Sequence, residues 1–358
     1  MNNIPEIRIG DSLIGSSHPT FVVAEMSGNH NGDINRAIQL VIAAKKAGAD
    51  AVKLQTYRAD TITINHSGPE FVLDTGLWKG RALYELYEEA HTPWEWHQEL
   101  FELGKELGII VFSSPFDHSA VDFLEDLNCP AYKIASPEII DIPLIRKAAA
   151  TGKPLIISTG MATSDEISEA ITAARDEGLE DLVILHCTSS YPAAISDANL
   201  STIPEIRNRF KVQTGLSDHT PGILTSILAV SLGACLIEKH FTLNRADGGV
   251  DSAFSLEASE LENLVKEVKS ADTALGTPTF TLLESEKMVF KNRRSLYATS
   301  DLAAGEQFTE NNVRSIRPGY GLKPKFLPDI LGTKTTRAIK FGEPIDESMI
   351  LGGLPSDV

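Results

Sequence analysis

The chain has 358 residues, 42% hydrophobic and 23% charged, the profile of a globular protein with room for one large domain and a smaller one. With 32 Lys and Arg against 49 Asp and Glu its formal net charge is −17, a field that repels polyanions and argues against nucleic acid or an anionic membrane as partner. No apolar run approaches the roughly 20 residues that span a bilayer, and MNNIPEIRIGDS lacks the marks of a signal peptide, so the expected location is the cytoplasm.

Along the chain, a hairpin is expected at about 5–17. From about 20 to 275, short β-branched runs alternate with amphipathic stretches, the rhythm of βα units on a parallel sheet. Eight runs occur: FVVAEM (21–26), AVKLQTY (51–57), IIVFSSP (109–115), AYKIAS (131–136), LIISTG (155–160), LVILHCT (182–188), VQTGLSD (212–218) and CLIEKHF (235–241). Eight strands with helical crossovers in about 250 residues predict an α/β chain folded as a TIM (β/α)8 barrel. Between them, INRAIQLVIAAKKAGAD (34–50), SDEISEAITAARDEGL (164–179) and ASELENLVKEVKSADTAL (258–275) carry helical spacing. Ser164 is the expected N-cap of the second, and Gly48 and Gly178 the expected left-handed helix ends.

Segment 59–92 exceeds an ordinary βα loop and is expected to be a functional insertion over one barrel mouth. Cys129, Cys187 and Cys235 stand far apart in apolar segments without a CxxC pair, which predicts buried free thiols. The domain bounds read as 1–276 for the barrel, 277–294 for a polar linker and 295–358 for a small β-rich domain broken by Gly and Pro turns.

In a TIM barrel the chemistry stands at the carboxyl ends of the strands, and here those ends are polar. In order they offer Glu25; Lys53 and Gln55; Ser113 and Ser114; Lys133, Ser136 and then Glu138; Ser158; Thr188 and Ser189; Ser217, Asp218 and His219; Glu238 and His240. A single strand-end serine ordinarily caps a turn, and a lone lysine is ordinarily solvated. The coincidence points to a site. Lysines within apolar parallel strands are costly to bury unless an anion compensates them. Lys53 and Lys133 therefore point to a bound phosphate or carboxylate, with Ser114, Ser136, Ser158 and Ser217 as further donors.

His219 and His240 end neighbouring strands, so their imidazoles can converge on one divalent metal with open positions. A hydrogen-bonded pair of His219 with Asp218, or a general acid, is the other reading of those residues. Glu25, Glu138 and Glu238 are candidates for proton transfer. Aldol-type addition, dehydration and phosphoryl hydrolysis all remain open to such a site, and no P-loop, GxGxxG, GxSxG or HExxH motif redirects the reading.

At these residues the chain resembles the sialic acid synthase family, through AEMSGNHNG (24–32), VKLQTY (52–57), SSPFD (113–117), YKIAS (132–136), STGM (158–161), LHCTSSYP (185–192), GLSDH (215–219) and EKHFT (238–242). The resemblance runs from about 5 to 352, and the tail with IRPGYGL (316–322) resembles the antifreeze-like (SAF) domain of these enzymes. It implies a transferase that joins phosphoenolpyruvate, an acylamino sugar aldehyde and water with C–O cleavage. The metal implied on His219 and His240 is Mn2+, with Mg2+ or Co2+ as alternatives.

By the same match, Lys53, Ser114, Lys133, Ser136, Ser158, Ser189 and Ser217 hold phosphoenolpyruvate, and Glu25 is the acid/base or water-positioning group. Gln55, Tyr191 and Asp251 touch the sugar, and Asp218 is counted with the substrate-binding groups. Arg317 matches an arginine that, in the family's domain-swapped homodimer, enters the partner's barrel; an ordinary surface ion pair is its other reading.

Segments LWKGRALYELYEEAHTPWEWH (77–97), NRADGGVDSAFSLE (244–257) and KNRRSLY (291–297) look most like the pseudaminic acid branch. That branch implies 2,4-diacetamido-2,4,6-trideoxy-L-altrose as the sugar. Legionaminic and N-acetylneuraminic acid synthesis are the nearer rivals, and a barrel aldolase, a phosphatase or a carbohydrate-binding protein the more distant ones.

Overall fold

A computed structural model describes residues 4–354; the ends of the expected domains, 1–3 and 355–358, lie outside the described residues. Two compact units divide the chain, Met1–Gly276 and Thr277–Val358.

The first unit begins with an antiparallel hairpin of β1 (Ile7–Ile9) and β2 (Ser12–Ile14). Eight parallel strands follow: β3 (Phe21–Glu25), β4 (Ala51–Thr56), β5 (Ile110–Pro115), β6 (Tyr132–Ile134), β7 (Leu155–Ser158), β8 (Leu182–Cys187), β9 (Gln213–Asp218) and β10 (Leu236–His240). Each pairs with the next, and β10 pairs with β3 to close the barrel. Every expected run thus forms a barrel strand, trimmed at its ends. Val22, Val52, Ile134, Ile156, Ile184 and Ile237 are fully or almost fully buried, because a barrel strand packs inward on the core and outward on a helix.

Helices occupy Ile34–Ala47, Ser164–Asp176 and Ala258–Leu275, where the apolar periodicity predicts them. Gly48 at φ 86° and Gly178 at φ 85° take the left-handed conformation that glycine adopts without steric cost. The expected N-cap is corrected by one residue. Thr163 caps Ser164–Asp176, accepting from Glu166 N while the Glu166 carboxylate accepts from Thr163 N at 2.7 Å. A cap hydroxyl must stand one position before the helix to reach the third amide; Ser164 is already inside, and its buried hydroxyl has no partner. Among the described residues no helix is long and apolar enough to cross a membrane.

The 59–92 segment folds into a short turn at Ala59–Ile62 and a helix at Leu83–Ala90. Leu86 and Ala90 bury against Val250, with Leu73 and Trp78 packed alongside, as an apolar cluster separate from the barrel core.

In the second unit, Glu284–Phe290 is helical within the segment read as a polar connector. Leu296, Phe308, Val313, Ile330, Ile339 and Ile345 form its core. The expected small β-rich domain forms, with its pairing spread over short pieces among the described residues. One two-stranded sheet forms, β11 (Ser295–Ala298) against β12 (Val313–Ile316), and isolated bridges such as Leu302 with Ile339 take the place of further strands. Glycine turns at Gly305, Gly332 and Gly342 keep the pairing segments short.

Candidate active site

Parity along the strands decides which side chains enter the barrel. Lys53 and Gln55 on β4, Ser217 on β9, and Glu238 and His240 on β10 share one orientation and line a cavity of about 290 Å³ at the strand ends. Register sets their heights: Glu25 lies beside both Lys53 and His240, and Ser217 beside Glu238. The wall is completed by Ser136 and Glu138 after β6, Asp251 in the loop after β10, and the 59–92 insertion.

The lysines are buried, with 5% and 2% of their side chains exposed at Lys53 and Lys133. Their partners correct the simplest reading of that burial. Lys53 Nζ lies 3.1 Å from Glu25 and 3.3 Å from Glu238, and Lys133 Nζ lies 3.7 Å from Glu238. The chain's own carboxylates therefore meet the desolvation cost that an external anion was expected to meet alone.

The neutralisation is incomplete. Burial lifts the Glu25 carboxyl far above its usual range, against the opposing pull of Lys53. Burial would lift Glu238 as well, but the ammonium groups of Lys133 and Lys53 outweigh it and hold that carboxyl well below its usual range. Both lysines thus face one firmly ionised carboxylate and a second, Glu25, whose ionisation burial opposes, while burial also lowers the pKa of Lys133. A cationic cluster only partly neutralised by its own carboxylates therefore stands inside a chain of net charge −17.

A hydrogen-bonded layer holds these groups. Ser217 donates to Glu238 at 3.0 Å, and Ser114 accepts from Lys53 at 3.4 Å. Gln55 Nε2 donates to Glu25 at 2.9 Å and to Ser27 at 3.0 Å, and the Ser27 hydroxyl donates to Asp251. Ser27 takes a left-handed φ of 48°, uncommon for a residue with a side chain.

Ser136 accepts from Gly160 N at 3.0 Å. A Cβ on Gly160 would stand 2.1 Å from Ser189 Oγ and 2.8 Å from Ser136 Oγ, so only glycine lets the loop after β7 pass between them. The Ser158 hydroxyl and Glu138 Oε2 line the cavity without partners, and burial pushes Glu138 up to about 7. Unpartnered buried polar groups facing a cavity are where a ligand's hydrogen bonds fit.

The imidazoles of His219 and His240 lie 5.2 Å apart between ring centroids. His219 Nδ1 sits 3.0 Å from the Thr188 carbonyl, and donation there leaves Nε2 with its lone pair. His240 Nδ1 is buried without a partner, and burial, reinforced by His219, holds this imidazole well below its usual pKa and therefore neutral. Burial works against the charged form of His219 too, but its contact with Cys187 and its bond to the Thr188 carbonyl outweigh that and raise its pKa. His240 therefore offers a neutral imidazole, and His219 would give up a proton on joining it at a divalent cation. Among the described residues no group of three or more His, Cys, Asp and Glu is arranged to hold a metal, so substrate or water oxygens would complete the shell.

Not every expected residue faces the cavity. Asp218 has the opposite parity to Ser217 and points out of the barrel, where it pairs with Lys239 at 2.9 Å and accepts from Ser226 at 2.6 Å and Thr225 at 2.8 Å. This corrects its place among substrate-binding groups and dissolves the His219–Asp218 pair. Glu25 reaches the cavity only through Lys53 and Gln55, Ser114 only through Lys53, and Ser189 stands behind Gly160. Arg317 is exposed in the second unit, directly after β12.

Sequence reasoning passed over Ser27, Tyr57, Trp78, Leu83 and Tyr87, all of which line the cavity. It also passed over the contact of Cys187 Sγ with His219 Nδ1 at 3.7 Å. The length of the 59–92 segment was the one signal pointing at its share of these residues. Cys129, Cys187 and Cys235 are free and buried, as expected.

The NeuB family profile matches residues 40–279, and that of the SAF domain residues 293–351. The chain is 46% identical over 330 residues to a pseudaminic acid synthase of Campylobacter jejuni, an alignment covering 91% of this chain and 95% of that one. It is 46% identical to the pseudaminic acid synthase of Helicobacter pylori, covering 91% and 96%. Among solved structures, the N-acetylneuraminic acid synthetase of Leptospira borgpetersenii superposes with a TM-score of 0.72 at 33% identity, covering 80% of this chain and 95% of that one.

Proposed function

Because this chain belongs to the NeuB family, we propose that it condenses phosphoenolpyruvate with 2,4-diacetamido-2,4,6-trideoxy-L-altrose and water to give pseudaminic acid and phosphate. The observation that carries this reading is the near full-length similarity to pseudaminic acid synthases, which runs through both units. The half-neutralised ammonium pair supports it, since the polyanionic substrate needs a local cationic site in an acidic protein.

In this reading C3 of phosphoenolpyruvate adds to the aldehyde carbon, water adds at C2, and the tetrahedral adduct releases phosphate by breaking its C2–O bond. Lys53 and Lys133 hold the phosphate and carboxylate, with Ser136, Ser158 and Ser217 donating hydrogen bonds and Ser114 and Ser189 supporting them from behind. Glu238 fixes both ammonium groups before the substrate arrives.

Glu138, protonated up to about pH 7, gives a proton to the alkoxide formed on the former aldehyde carbon. Glu25, when ionised, takes up the proton of the attacking water through Lys53, whose ammonium passes one proton to the carboxylate and receives one from the water. Gln55, Tyr191 and Asp251 orient the sugar. His219 and His240 would hold a divalent cation, Mn2+ in this reading, which when bound supplies Lewis acidity toward the carbonyl.

We extend the proposal to a cytoplasmic, domain-swapped homodimer of chains with a barrel at 1–276, a connector at 277–294 and an SAF domain at 295–358. Exposed Arg317 would serve the partner's barrel in that assembly. Free cysteines support the compartment.

Incubation with phosphoenolpyruvate carrying ¹⁸O at the bridging oxygen tests the reaction. The expected products are a nine-carbon acid and phosphate that keeps the label. Phosphate release without the nine-carbon acid would make the enzyme a phosphatase and end this reading.

A further inference from the structure

The cavity has two unlike sides. Its strand-end side carries ammonium, carboxylate, hydroxyl and imidazole groups, whereas the 59–92 insertion and the loop after β10 contribute, besides the polar Tyr87 and Asp251, an apolar patch of Leu73, Trp78, Leu83, Leu86 and Val250. The single polar atom among the side chains of this patch is already engaged, because Trp78 Nε1 donates to Val250 O at 2.8 Å. This bond joins the insertion to the loop and fixes the indole plane. The indole lies 5.5 Å from the Tyr191 ring, which lies 4.4 Å from His219. The apolar wall therefore starts one aromatic ring away from the imidazole pair.

That placement limits which part of a sugar can rest there. If the aldehyde carbon sits at the imidazoles and the open six-carbon chain runs past Tyr191, its far end meets this patch. Against these five side chains an acetamido group is a poor occupant, since its N–H and C=O would lose water without finding partners among them. A terminal hydroxymethyl group suffers the same loss at its hydroxyl. A terminal methyl group has nothing to leave unpaired and gains by leaving water.

We propose that Leu73, Trp78, Leu83, Leu86 and Val250 form the specificity-determining surface for the sugar terminus, accepting the methyl of a 6-deoxy sugar and selecting against its 6-hydroxylated counterpart. The inference rests on the condensation proposed above and adds the residues that choose the substrate. An apolar pocket rejects an added hydroxyl only modestly, so the expected preference is on the order of 10- to 100-fold in kcat/KM.

The test uses the full-length enzyme and pairs of 2,4-diacetamido hexoses that differ only at C6, in the L-altro and D-manno configurations. Phosphate release gives kcat/KM, and calorimetric Kd values give the same ratio independently of turnover. In whichever configuration the enzyme accepts or binds, the 6-deoxy member should win. Trp78→Gln and Leu83→Gln should each cut the preference at least about tenfold while leaving KM for phosphoenolpyruvate in place, and Leu83→Met should keep it.

Leu83 is half-buried at the start of its helix, so its variants keep the question answerable even where Trp78→Gln fails to fold. Equal or reversed preference in the wild type, or an unchanged ratio in Leu83→Gln, overturns the inference. Turnover confined to the D-manno pair would overturn the assigned sugar configuration instead and leave the wall to be judged on its own ratio.

Discussion

Lys133 on β6 and Glu238 on β10 stand on opposite sides of an eight-stranded ring, yet their charged groups meet at 3.7 Å across the barrel axis. Glu238 also lies 3.3 Å from Lys53, so one carboxylate organises both ammonium groups. This makes the carboxylate a structural counter-ion in the free protein and a competitor for any anion that enters.

Glu238→Gln should expose that double role. It leaves two buried ammonium groups with only Glu25 nearby, and the expected cost is about 3–5 kcal/mol of stability. Added phosphate should then raise the melting temperature of the variant more than that of the wild type. Equal phosphate-induced shifts would count against the ammonium pair as an anion site.

His240→Ala removes a proposed metal ligand without touching the ammonium cluster. Elemental analysis after dialysis against Mn2+ should show much lower metal content, and turnover should fall by several orders of magnitude while the melting curve without metal stays close to wild type. Full activity of the wild type in a strong chelator would rule out metal dependence.

Glu138 predicts a pH dependence. Burial raises its pKa from 4.5 to about 7, so between those values the folded chain holds a proton that the unfolded chain has released, and stability falls as pH rises through that window. Glu138→Gln removes the effect. The variant should melt like the wild type near pH 4.5 and be more stable at about pH 8 by on the order of 3 kcal/mol. A stability difference that does not change with pH would show that Glu138 keeps its ordinary carboxyl pKa in the fold.

Lys239→Met separates the two assignments of Asp218. The substitution leaves a buried carboxylate without its cation, with an expected cost of about 3–5 kcal/mol, whereas KM for both substrates should not move in the protein that remains folded. A selective rise in either KM would return Asp218 to the site.

Gly160→Ala tests the crowded loop after β7. The added methyl must displace Ser136 or Ser189, at an expected stability cost of about 1–3 kcal/mol, together with a raised KM for phosphoenolpyruvate. Unchanged kinetics would mean that the serine that gives way, Ser136 or Ser189, plays no part in binding that substrate.

Much of this molecule is written locally. The alternation of β-branched runs with helices of 3.6-residue period depends on neighbours a few positions apart, so eight strands and their order are legible in the residues themselves. The polar strand ends are legible for the same reason: Lys53, Ser158, His219 and His240 stand where chain direction alone puts the open mouth of a barrel.

The pairing of charges lies beyond such reasoning. Which carboxylate answers Lys133 depends on how the ring closes, because closure sets which residues meet across the axis. Asp218 and Ser217 are adjacent in sequence and go to opposite sides of the wall, a distinction that parity makes only after one inward residue is known. The apolar wall is equally non-local, since Trp78 acquires its role from a hydrogen bond to Val250, a residue far away in the chain. Periodicity along a strand or helix is a property of the chain, whereas contact across a closed sheet is a property of its shear and register, which only the folded barrel determines.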